Sequence, residues 1–535
     1  MSLFNLKITG AAGEGIKVGG LIFSQTCFNQ GLNVCGYTEY PSLIRGGLNT
    51  FQVTADIKPV LSPELKFDLE ISLDDQYLID LCGKNNLPLQ TRNIIALGLS
   101  VYVFGLDLNV LNQLIKDNFS KKGQTVVALN LKAAQTGYDY AAKNYQSSKK
   151  SLPSDLKPHQ NQLYLTGNEA ISLGALAGGL QFFAAYPMTP VTAILHFLAA
   201  KATTANLAVR QAEDEIGVVN MAIGAAYAGL RSMVATSGGG FSLMAEALGL
   251  SGMTETPLVI VNGMRPGPST GMPTWSSQGD LLFVINAGQD EFPRIVLAPG
   301  DCWEAFELTK LAQNLAEKYQ LPIIILSDKY LAESYFIMPK PPAKHQNQRF
   351  SLAETSKLDN QTPFARYRPT DSGISLRSLP GQAGGVCLTN SYEHDELGYA
   401  TEASAERQIQ VDKRNRKTLS VLTDPLLVKP TLFGPAAAPT TIISWGSNKG
   451  VILQALKSLT NTNFIHFSWL WPFPKLEFLN LIKNSKKLIT LECNSTGQLN
   501  RLIRQETGLK IEPQLLKYDG RPFFPEEIIK KLKTL

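Results

Sequence analysis

The stretch that decides the fold covers residues 211–273 and reads QAEDEIGVVNMAIGAAYAGLRSMVATSGGGFSLMAEALGLSGMTETPLVIVNGMRPGPSTGMP. It opens with an acidic helix start that contains Glu215 and continues as an Ala- and Gly-rich helix. A strand then ends in Thr236-Ser237-Gly238-Gly239-Gly240, where a second helix begins. The next strand, 257–262, ends in a polar loop that carries Arg265. Two successive strands that each end in a Gly-rich polar loop predict the ligand-binding edge of an α/β sheet.

Regular alternation of helices and apolar strands extends from this stretch over residues 163–335. Continuous apolar strands of this kind predict a doubly wound parallel sheet that is covered on both faces. Outside it, the sequence divides into an α/β domain at 1–145, a polar linker at 146–162, an extended connecting segment at 336–430 and a smaller doubly wound α/β domain at 431–535. The fold class is therefore α/β with several domains, each long enough for its own core.

The first domain begins with a strand that runs into the glycine-rich turn GAAGEGIKVGG. Its glycine spacing departs from a dinucleotide fingerprint, so a tight strand-to-helix turn is the simpler interpretation. The helix start in this turn still offers N–H groups to an anion. Further strands are predicted at 48–54, 67–73, 94–104 and 124–129, with a turn at Arg45-Gly46-Gly47 before the first of them.

The composition is that of an ordinary globular chain, with 535 residues, a net charge of +5 and 44% hydrophobic residues. The small, dispersed charge argues against nucleic-acid binding, and no apolar run is long enough for a membrane span. The six cysteines are scattered and form no C-x-x-C pair. Their spacing predicts buried free thiols and no metal or iron–sulfur ligands on this chain. The N-terminus has no signal peptide, so we expect a cytoplasmic protein with neither a membrane nor a nucleic acid as partner.

Three residues at the predicted sheet edge are candidates for ligand binding. Glu215 either complements the helix dipole with its acidic neighbours, or lies buried in an apolar site where it can share a proton with a ring nitrogen. Thr189, in the string YPMTP at 186–190, either caps the helix predicted at 189–200 or turns its hydroxyl towards a carboxylate ligand. Arg265 is either a surface residue or a fork for a carboxylate or phosphate.

Taken with the strings around them, these residues closely resemble one family, the α subunits of 2-oxoacid:ferredoxin (2-oxoacid:acceptor) oxidoreductases. The resemblance is to the form in which a γ domain is fused at the N-terminus, and it covers nearly the whole chain. The strings that carry it are, in order, GAAGEGIKVGG, GYTEYPSLIRGG, AYPMTP, RQAEDEIGVVNMAIGAAYAG, TSGGGFSLMAEALGLSGMTETP, MRPGPSTGMPT with Gln278-Gly279-Asp280, RYRPTDSGISLRSLPG, YEHDELG, GSNKG, CNSTGQL and KYDGRPF.

The resemblance implies a thiamine diphosphate enzyme in which this chain supplies the pyrimidine side of the cofactor site. The γ domain would be the first α/β domain, the pyrimidine-binding domain would follow the linker, and a transketolase C-terminal-like domain would end the chain. Glu215 matches the acid that hydrogen-bonds the aminopyrimidine N1′ and is the implied catalytic residue. Thr189 and Arg265 match the positions that hold the substrate carboxylate. The implied cofactor-binding residues are Tyr186, Pro187, Glu215, Ser237 and Gly238.

The resemblance also implies partners. A separate β subunit would bring the diphosphate side of the shared cofactor site with Mg2+ and a [4Fe-4S] cluster, in an α2β2 assembly. The complex would oxidatively decarboxylate a 2-oxo acid, reduce ferredoxin and transfer the acyl group to coenzyme A as co-substrate. The fused arrangement favours 2-oxoglutarate as the substrate, while pyruvate and a branched-chain 2-oxo acid stay open.

Three positions depart from the family pattern. Val191 stands where Ser is common, Gly239 where Pro is common, and Pro266 where Gly is usual after the substrate arginine. These changes bear on substrate identity more than on reaction class, and Val191 and Pro266 keep a non-catalytic scaffold homologue open as an alternative. A transketolase-type enzyme would need a G-D-G…N motif, and the string YDGR at 518–521 lacks that context.

Overall fold

The described part of the chain folds around three β-sheets. The computed structural model describes residues 3–42, 47–342 and 348–535. Arg45 and Gly46 of the turn predicted before the second strand, and with them part of the string GYTEYPSLIRGG, lie outside the described residues.

Among the described residues, the first part of the chain contains four strands and one α-helix and then ends with four further α-helices. Its elements are β1 (Phe4–Gly10), α1 (Ile16–Asn29), β2 (Asn33–Glu39), β3 (Asn49–Asp56), β4 (Leu69–Ser72), α2 (Gln76–Lys84), α3 (Arg92–Val103), α4 (Leu108–Phe119) and α5 (Gln124–Asn144). β3 and β4 confirm two of the predicted strands to within a few residues.

The strands predicted at 94–104 and 124–129 are wrong, because both segments lie in helices, α3 and α5. α3 is buried almost all round, so its sequence shows an apolar run without the period of a surface helix. The two helices touch at Gly98 and Gly137, where a Cβ on either glycine would clash with a backbone carbonyl of the other helix. This close helix–helix contact accounts for the continuous burial, and it is not visible in the local pattern.

The middle of the chain alternates strands and helices as predicted, and the helix predicted at 302–319 matches at both ends. The elements are β5 (Gln162–Thr166), α6 (Gly167–Ala177), β6 (Phe182–Ala185), α7 (Thr192–Ala205), β7 (Ala208–Gln211), α8 (Glu215–Tyr227), β8 (Ser232–Thr236), α9 (Gly238–Met253), β9 (Leu258–Met264), α10 (Leu281–Asn286), β10 (Ile295–Leu297), α11 (Cys302–Tyr319), β11 (Pro322–Asp328), α12 (Lys329–Glu333) and β12 (Tyr335–Pro339).

The last part contains one long helix and then a second α/β region. Its elements are α13 (Ser404–Leu422), β13 (Thr431–Phe433), β14 (Thr440–Trp445), α14 (Asn448–Leu456), β15 (Thr462–Phe467), β16 (Trp469–Trp471), α15 (Lys475–Ile482), β17 (Lys487–Glu492), α16 (Gln498–Thr507), β18 (Gln514–Leu516) and α17 (Pro525–Lys533). Between β12 and α13 the longest regular element among the described residues is a short 3-10 turn, Thr355–Lys357.

The middle sheet has seven strands in the order β16-β10-β11-β9-β8-β6-β7. Neighbours from β6 to β11 pair in parallel, and only β16 at the edge is antiparallel. Alternate residues of β8 enter two separate hydrophobic clusters, with Met233 and Ala235 on one face and Val234 on the other. The predicted parallel sheet covered on both faces is therefore confirmed.

The other two sheets exchange strands across the predicted domain boundaries. The first sheet, β4-β1-β3-β2-β12-β5, is completed by β5 and β12 from either end of the middle region. The third sheet, β13-β15-β14-β17-β18, is parallel apart from β13. β16, which follows β15 in the chain, is not part of this sheet and pairs instead with β10 of the middle sheet. The predicted division into domains stays a prediction, and these strand exchanges tie the three regions together.

All six cysteines are free, and five of them are buried. Cys302, for example, donates its thiol to the backbone oxygen of Leu165 over 3.7 Å. No helix in the described ranges is both long and apolar enough to cross a membrane.

Candidate active site

The carboxyl ends of β8 and β9 open onto a cavity of about 570 Å³. This is the edge at which parallel α/β sheets bind their ligands, because the loops that follow adjacent strands meet there. Arg265 comes directly after β9, and a single residue, Ser237, separates the end of β8 from the start of α9. The described residues that line the cavity are Met188, Gly238, Gly239, Ser242, Arg265, Gly267, Pro268, Ser269, Thr270, Asp280 and Phe283.

Glu215 is the first residue of α8, and its side chain is buried at this edge with 4% exposure. The preceding Asp214 caps the helix, since its carboxylate accepts the backbone N–H of Gly217 at 2.7 Å. Oε1 of Glu215 has no hydrogen-bond partner among the described residues. Asp214 therefore fits the interpretation of an acid that complements the helix start. Glu215 instead has a buried carboxylate oxygen that lacks a hydrogen-bond donor among the described residues.

The start of α9 packs directly on Glu215. A Cβ at Gly240 would clash with Oγ1 of Thr236 and would lie 2.6 Å from Oε1 of Glu215. Glycine at this position therefore lets the first turn of α9 approach the carboxylate. Gly239, next to it, has open space at its Cβ position within the described structure and lines the cavity. The first turn of α9 therefore contacts Glu215 on one side and lines the cavity on the other.

Arg265 is half-buried, and its Nη1 donates to the backbone oxygen of Thr189 at 2.8 Å. Burial lowers the pKa of the Arg265 guanidinium, and Asp280 opposes that shift. The side-chain amide of Asn168 holds the same turn by donating to the oxygen of Pro190 at 2.8 Å. These bonds bring the Thr189 backbone and the Arg265 side chain together, but Thr189 is not among the described residues that line the cavity. The shared carboxylate site stays a prediction.

The helix predicted from residue 189 begins later. Its first residue is Thr192, its N-cap is Val191, and no side chain caps it. Thr189 lies in the turn before α7, so its proposed role as a helix cap is wrong. The proline at 190 follows Thr189 directly, which disfavours a helical conformation at Thr189.

The remaining predicted cofactor residues lie in the same two loops. Ser237 is buried and donates its hydroxyl to Sδ of Met188 at 2.7 Å, which joins the loop after β6 to the loop after β8. Gly238, the first residue of α9, lines the cavity. Pro187 is half-buried, and Tyr186 is 40% exposed at the outer side of the loop. Their roles stay predictions.

The three departures from the family pattern lie in different surroundings. Val191 is buried in the hydrophobic core, where it packs on Gly263 of β9. Pro266 begins the turn that Met272 closes, with the backbone N–H of Met272 donating to its oxygen at 2.9 Å. Gly239 has the open surroundings described above.

Two residues of the site escaped functional interpretation of the sequence. Asp280 lines the cavity, and its Oδ2 accepts the side-chain amide of Asn262 at 3.1 Å. Asn262 lies in β9, three residues before Arg265, and the sequence singles out Asp280 only as part of the string QGD. The available signal was that this polar string follows a loop at the ligand edge, but its spatial neighbours are distant in sequence.

Two family models match the chain. The model described as pyruvate flavodoxin/ferredoxin oxidoreductase, thiamine diphosphate-binding, matches residues 173–413. The model described as pyruvate ferredoxin/flavodoxin oxidoreductase matches residues 5–88 and 82–140. The first match contains the whole cavity edge, so the site lies in a thiamine diphosphate-binding domain.

Curated relatives and a solved structure match over most of their own length. The 2-oxoacid:ferredoxin oxidoreductase subunit alpha of Saccharolobus solfataricus is 37% identical, covering 83% of this chain and 72% of the relative. A subunit of the same name from a Sulfolobus species is 31% identical over 97% of this chain and 95% of its own. The 2-oxoglutarate synthase subunit KorA of Methanothermobacter marburgensis is 32% identical over 69% of this chain and 98% of its own.

A solved structure that matches this chain is the 2-oxoglutarate:ferredoxin oxidoreductase from Magnetococcus marinus with 2-oxoglutarate, coenzyme A and succinyl-CoA bound. It superposes with a TM-score of 0.91 at 31% identity and covers 99% of both chains. The resemblance noted in the sequence is thereby confirmed over the whole length of the fold. The chain belongs to the α subunits of the 2-oxoacid:ferredoxin oxidoreductases, and the fused N-terminal domain belongs to the same enzyme family.

Proposed function

We propose that this chain, with a β subunit, oxidises 2-oxoglutarate to succinyl-CoA and carbon dioxide and passes the electrons to ferredoxin. Support for this substrate comes from the KorA relatives and from the Magnetococcus marinus enzyme, whose structure holds 2-oxoglutarate, coenzyme A and succinyl-CoA. Pyruvate and branched-chain 2-oxo acids are the alternative substrates. The observation that carries the proposal is the buried, unpartnered Oε1 of Glu215 beside the cavity that Arg265 lines.

The residues present fit the pyrimidine half of thiamine diphosphate. A buried carboxylate oxygen without a partner among the described residues is costly unless a ligand supplies the donor, and a protonated ring nitrogen is such a donor. Glu215 would hold that proton, and Ser237 and Gly238, together with the loop at Tyr186 and Pro187, would form the wall of the cofactor cleft. When bound, thiamine diphosphate supplies a nucleophilic carbon and an electron sink for decarboxylation.

Arg265 and Thr189 would hold the 2-oxo acid by its carboxylate. The bond from Nη1 of Arg265 to the Thr189 oxygen orients the guanidinium, which carries further N–H donors for a carboxylate. The start of α9 adds a helix N-terminus to the same cavity, and its partial positive charge favours an anionic ligand. Orientation of the carboxylate fixes the position of the keto carbon next to it.

A β subunit would complete the site. Apolar side chains around the cavity edge are exposed on this chain, among them Ile216 at 49%, Leu243 at 50% and Phe283 at 38%. Exposed apolar groups clustered around an incomplete ligand site are typical of a subunit interface. We place the diphosphate side, Mg2+ and the [4Fe-4S] cluster on the β subunit, in an α2β2 assembly that reduces ferredoxin in the cytoplasm.

A non-catalytic scaffold homologue is the second candidate. In a protein without catalytic function, an unpaired buried carboxylate would lower the stability of the fold and serve no purpose. Such a protein would be more stable if that carboxylate were paired with a cation or replaced. Glu215 is retained and unpartnered within the described structure, which favours the catalytic proposal.

The test is co-expression with a β subunit of the same enzyme family, followed by a panel of 2-oxo acids. The complex is expected to be brown and to release carbon dioxide from 2-oxoglutarate with coenzyme A and a viologen acceptor. Pyruvate and a branched-chain 2-oxo acid, assayed in parallel, show the preference. Turnover of pyruvate alone would replace the substrate assignment, and an assembled complex that releases carbon dioxide from none of them would favour the scaffold.

A further inference from the structure

The described lining of the cavity beside Glu215 contains one acidic side chain, Asp280, to which the proposed function assigns no role. Of its described lining residues only Arg265 and Asp280 are charged, so the Asp280 carboxylate is the single acid in the lining. An acid in a pocket for an anionic substrate opposes binding, and its presence therefore needs a reason.

The backbone on both sides of Asp280 is held by the C-terminal region. The backbone of Gln278 makes two hydrogen bonds with that region: its N–H donates to the Cys493 backbone oxygen at 2.8 Å, and its oxygen accepts from the Asn494 side-chain amide at 3.1 Å. The Gln498 side chain donates to the Gly279 oxygen at 2.6 Å and accepts the Leu282 N–H at 2.9 Å. These bonds clamp the loop, so the position of the Asp280 carboxylate is built into the fold.

Gln278 itself is a buried connector. Its side-chain amide donates to the Trp445 oxygen at 3.0 Å, and its Oε1 accepts the Asn448 side chain at 2.7 Å and the Cys493 N–H at 3.0 Å. The three partners come from two strand-to-helix turns of the third sheet. The C-terminal region therefore contributes to the pocket indirectly, by fixing the loop that carries Asp280.

The carboxylate of Asp280 also packs tightly on the pocket wall. A Cβ at Gly238 would lie 2.6 Å from its Oδ2, so glycine at the start of α9 makes room for the acid. Asn262 donates to the same oxygen and is fully buried, and its own Oδ1 has no hydrogen-bond partner among the described residues. Burial raises the pKa of the Asp280 carboxyl, while the Asn262 hydrogen bond and the Arg265 charge oppose that rise.

We infer that Asp280 determines how the pocket discriminates between singly and doubly charged 2-oxo acids. Its charge offsets that of Arg265, so the part of the pocket that this chain lines favours one carboxylate and disfavours a second negative charge near the loop at 278–282. In the proposed turnover of 2-oxoglutarate, the second carboxylate would therefore depend on groups that the β subunit supplies. Removing this charge should favour the dianion over the monoanion by about tenfold, the scale of a Coulomb interaction across several ångströms of partly shielded protein. The inference rests on the proposed function, because it assumes that the pocket takes a 2-oxo acid.

The test compares two substrates of equal shape and different charge, 2-oxoglutarate and its 5-amide, on the co-expressed complex. The ratio of their kcat/KM values is measured for the wild type, for Asp280→Asn and for Asp280→Glu. We expect Asp280→Asn to raise the dianion-to-monoanion ratio about tenfold. Asp280→Glu keeps the charge and should leave the ratio within about twofold of the wild type. A purely structural role would instead lower both kcat/KM values together and leave the ratio unchanged, which would overturn the inference.

Calorimetric binding of the same two compounds separates this inference from the proposed function. If the wild-type complex binds both compounds without turnover, the proposed function fails while the binding ratio still tests Asp280. If the ratio of dissociation constants is the same in the wild type and in Asp280→Asn, the inference fails even when turnover is normal. Binding of neither compound by an assembled wild-type complex would overturn both.

Discussion

Two buried glutamates at opposite ends of the middle sheet are treated very differently. Glu255 lies just before β9, fully buried, with Lys413 Nζ at 2.5 Å and Lys417 Nζ at 2.6 Å from its carboxylate oxygens. Glu215 lies at the carboxyl end of the same sheet, buried to a similar degree, with one oxygen unpartnered among the described residues. The Glu255 carboxylate is neutralised by lysines of its own chain, whereas the Glu215 carboxylate has no such partner among the described residues and is the one that we propose binds a ligand.

The two glutamates differ in whether a cation of the same chain pairs with the buried carboxylate. Burial alone would raise the pKa of the Glu255 carboxyl, but Lys413 and Lys417 hold it well below its usual range. Both lysines come from α13, so these ion pairs fasten the extended connecting segment to the middle sheet. A buried charge that is paired in this way stabilises the structure, whereas our proposal assigns the open carboxylate at the ligand edge to the chemistry.

The largest stability effect is expected for Glu255→Gln. The substitution leaves two buried lysines without their counter-charge, which costs about 3–5 kcal/mol. The thermal unfolding midpoint of the complex, followed by circular dichroism, should fall by several degrees. A midpoint equal to that of the wild type would show that the ion pairs do not hold α13 in place. Glu255 could then no longer be contrasted with Glu215 as a stabilising acid.

Lys417→Met is expected to change the pH dependence of stability. Burial, reinforced by Lys413, lowers the pKa of Lys417 to about 7 against the pull of Glu255, whereas an ordinary lysine titrates near 10.5. Between these values the unfolded chain binds more protons than the folded one, so wild-type stability rises with pH in that window, by at most about 1.4 kcal/mol per pH unit. The methionine variant should lose this rise in midpoints measured from pH 7 to 10. An identical slope in both proteins would contradict the assignment.

Gly240→Ala should damage the start of α9 beside Glu215. The new Cβ would clash with Oγ1 of Thr236 and crowd Oε1 of Glu215, and overpacking of this kind costs about 1–3 kcal/mol. We expect a lower unfolding midpoint together with weaker activation of the complex by added thiamine diphosphate. If activation is unchanged, the helix start does not shape the cofactor cleft.

Gly239→Ala is the matched control and the smallest effect. The neighbouring glycine lies in the same helical turn with open space at its Cβ position within the described structure. Alanine there restricts the unfolded chain without strain and should stabilise the protein by about 0.4–1 kcal/mol. A loss of stability as large as that of Gly240→Ala would show that the contact with Glu215 is not what distinguishes the two positions.

The parallel sheet was predictable because its strands are short apolar runs bounded by turn residues. The strands β8 and β9 and the helix α11 follow directly from such local patterns. α3 was not predictable in this way, since it is buried on nearly all sides, in part through its contact with α5 at Gly98 and Gly137, and its sequence lacks the helical period. The strand exchanges of β12 and β16 are also absent from the local pattern, because pairing depends on distant partners.

The site was predictable only in part. Residue patterns alone placed Glu215, Thr189 and Arg265 at one sheet edge and left two interpretations open for each. The resemblance to a family selected among them, and the structure shows that Arg265 contacts the Thr189 turn. Asp280 could not be assigned, because the residues that position it, Asn494 and Gln498, follow it by more than two hundred positions.

The measurement that tests the central claim most directly is turnover and thermal stability of Glu215→Gln in the co-expressed complex. If Glu215 is kept unpaired to hold the cofactor proton, carbon dioxide release from 2-oxoglutarate should fall by about 100-fold or more. The unfolding midpoint should stay equal or rise, because the amide removes an unpaired buried charge, in contrast to Glu255→Gln. Wild-type turnover, or a loss of stability as large as that of Glu255→Gln, would contradict the account.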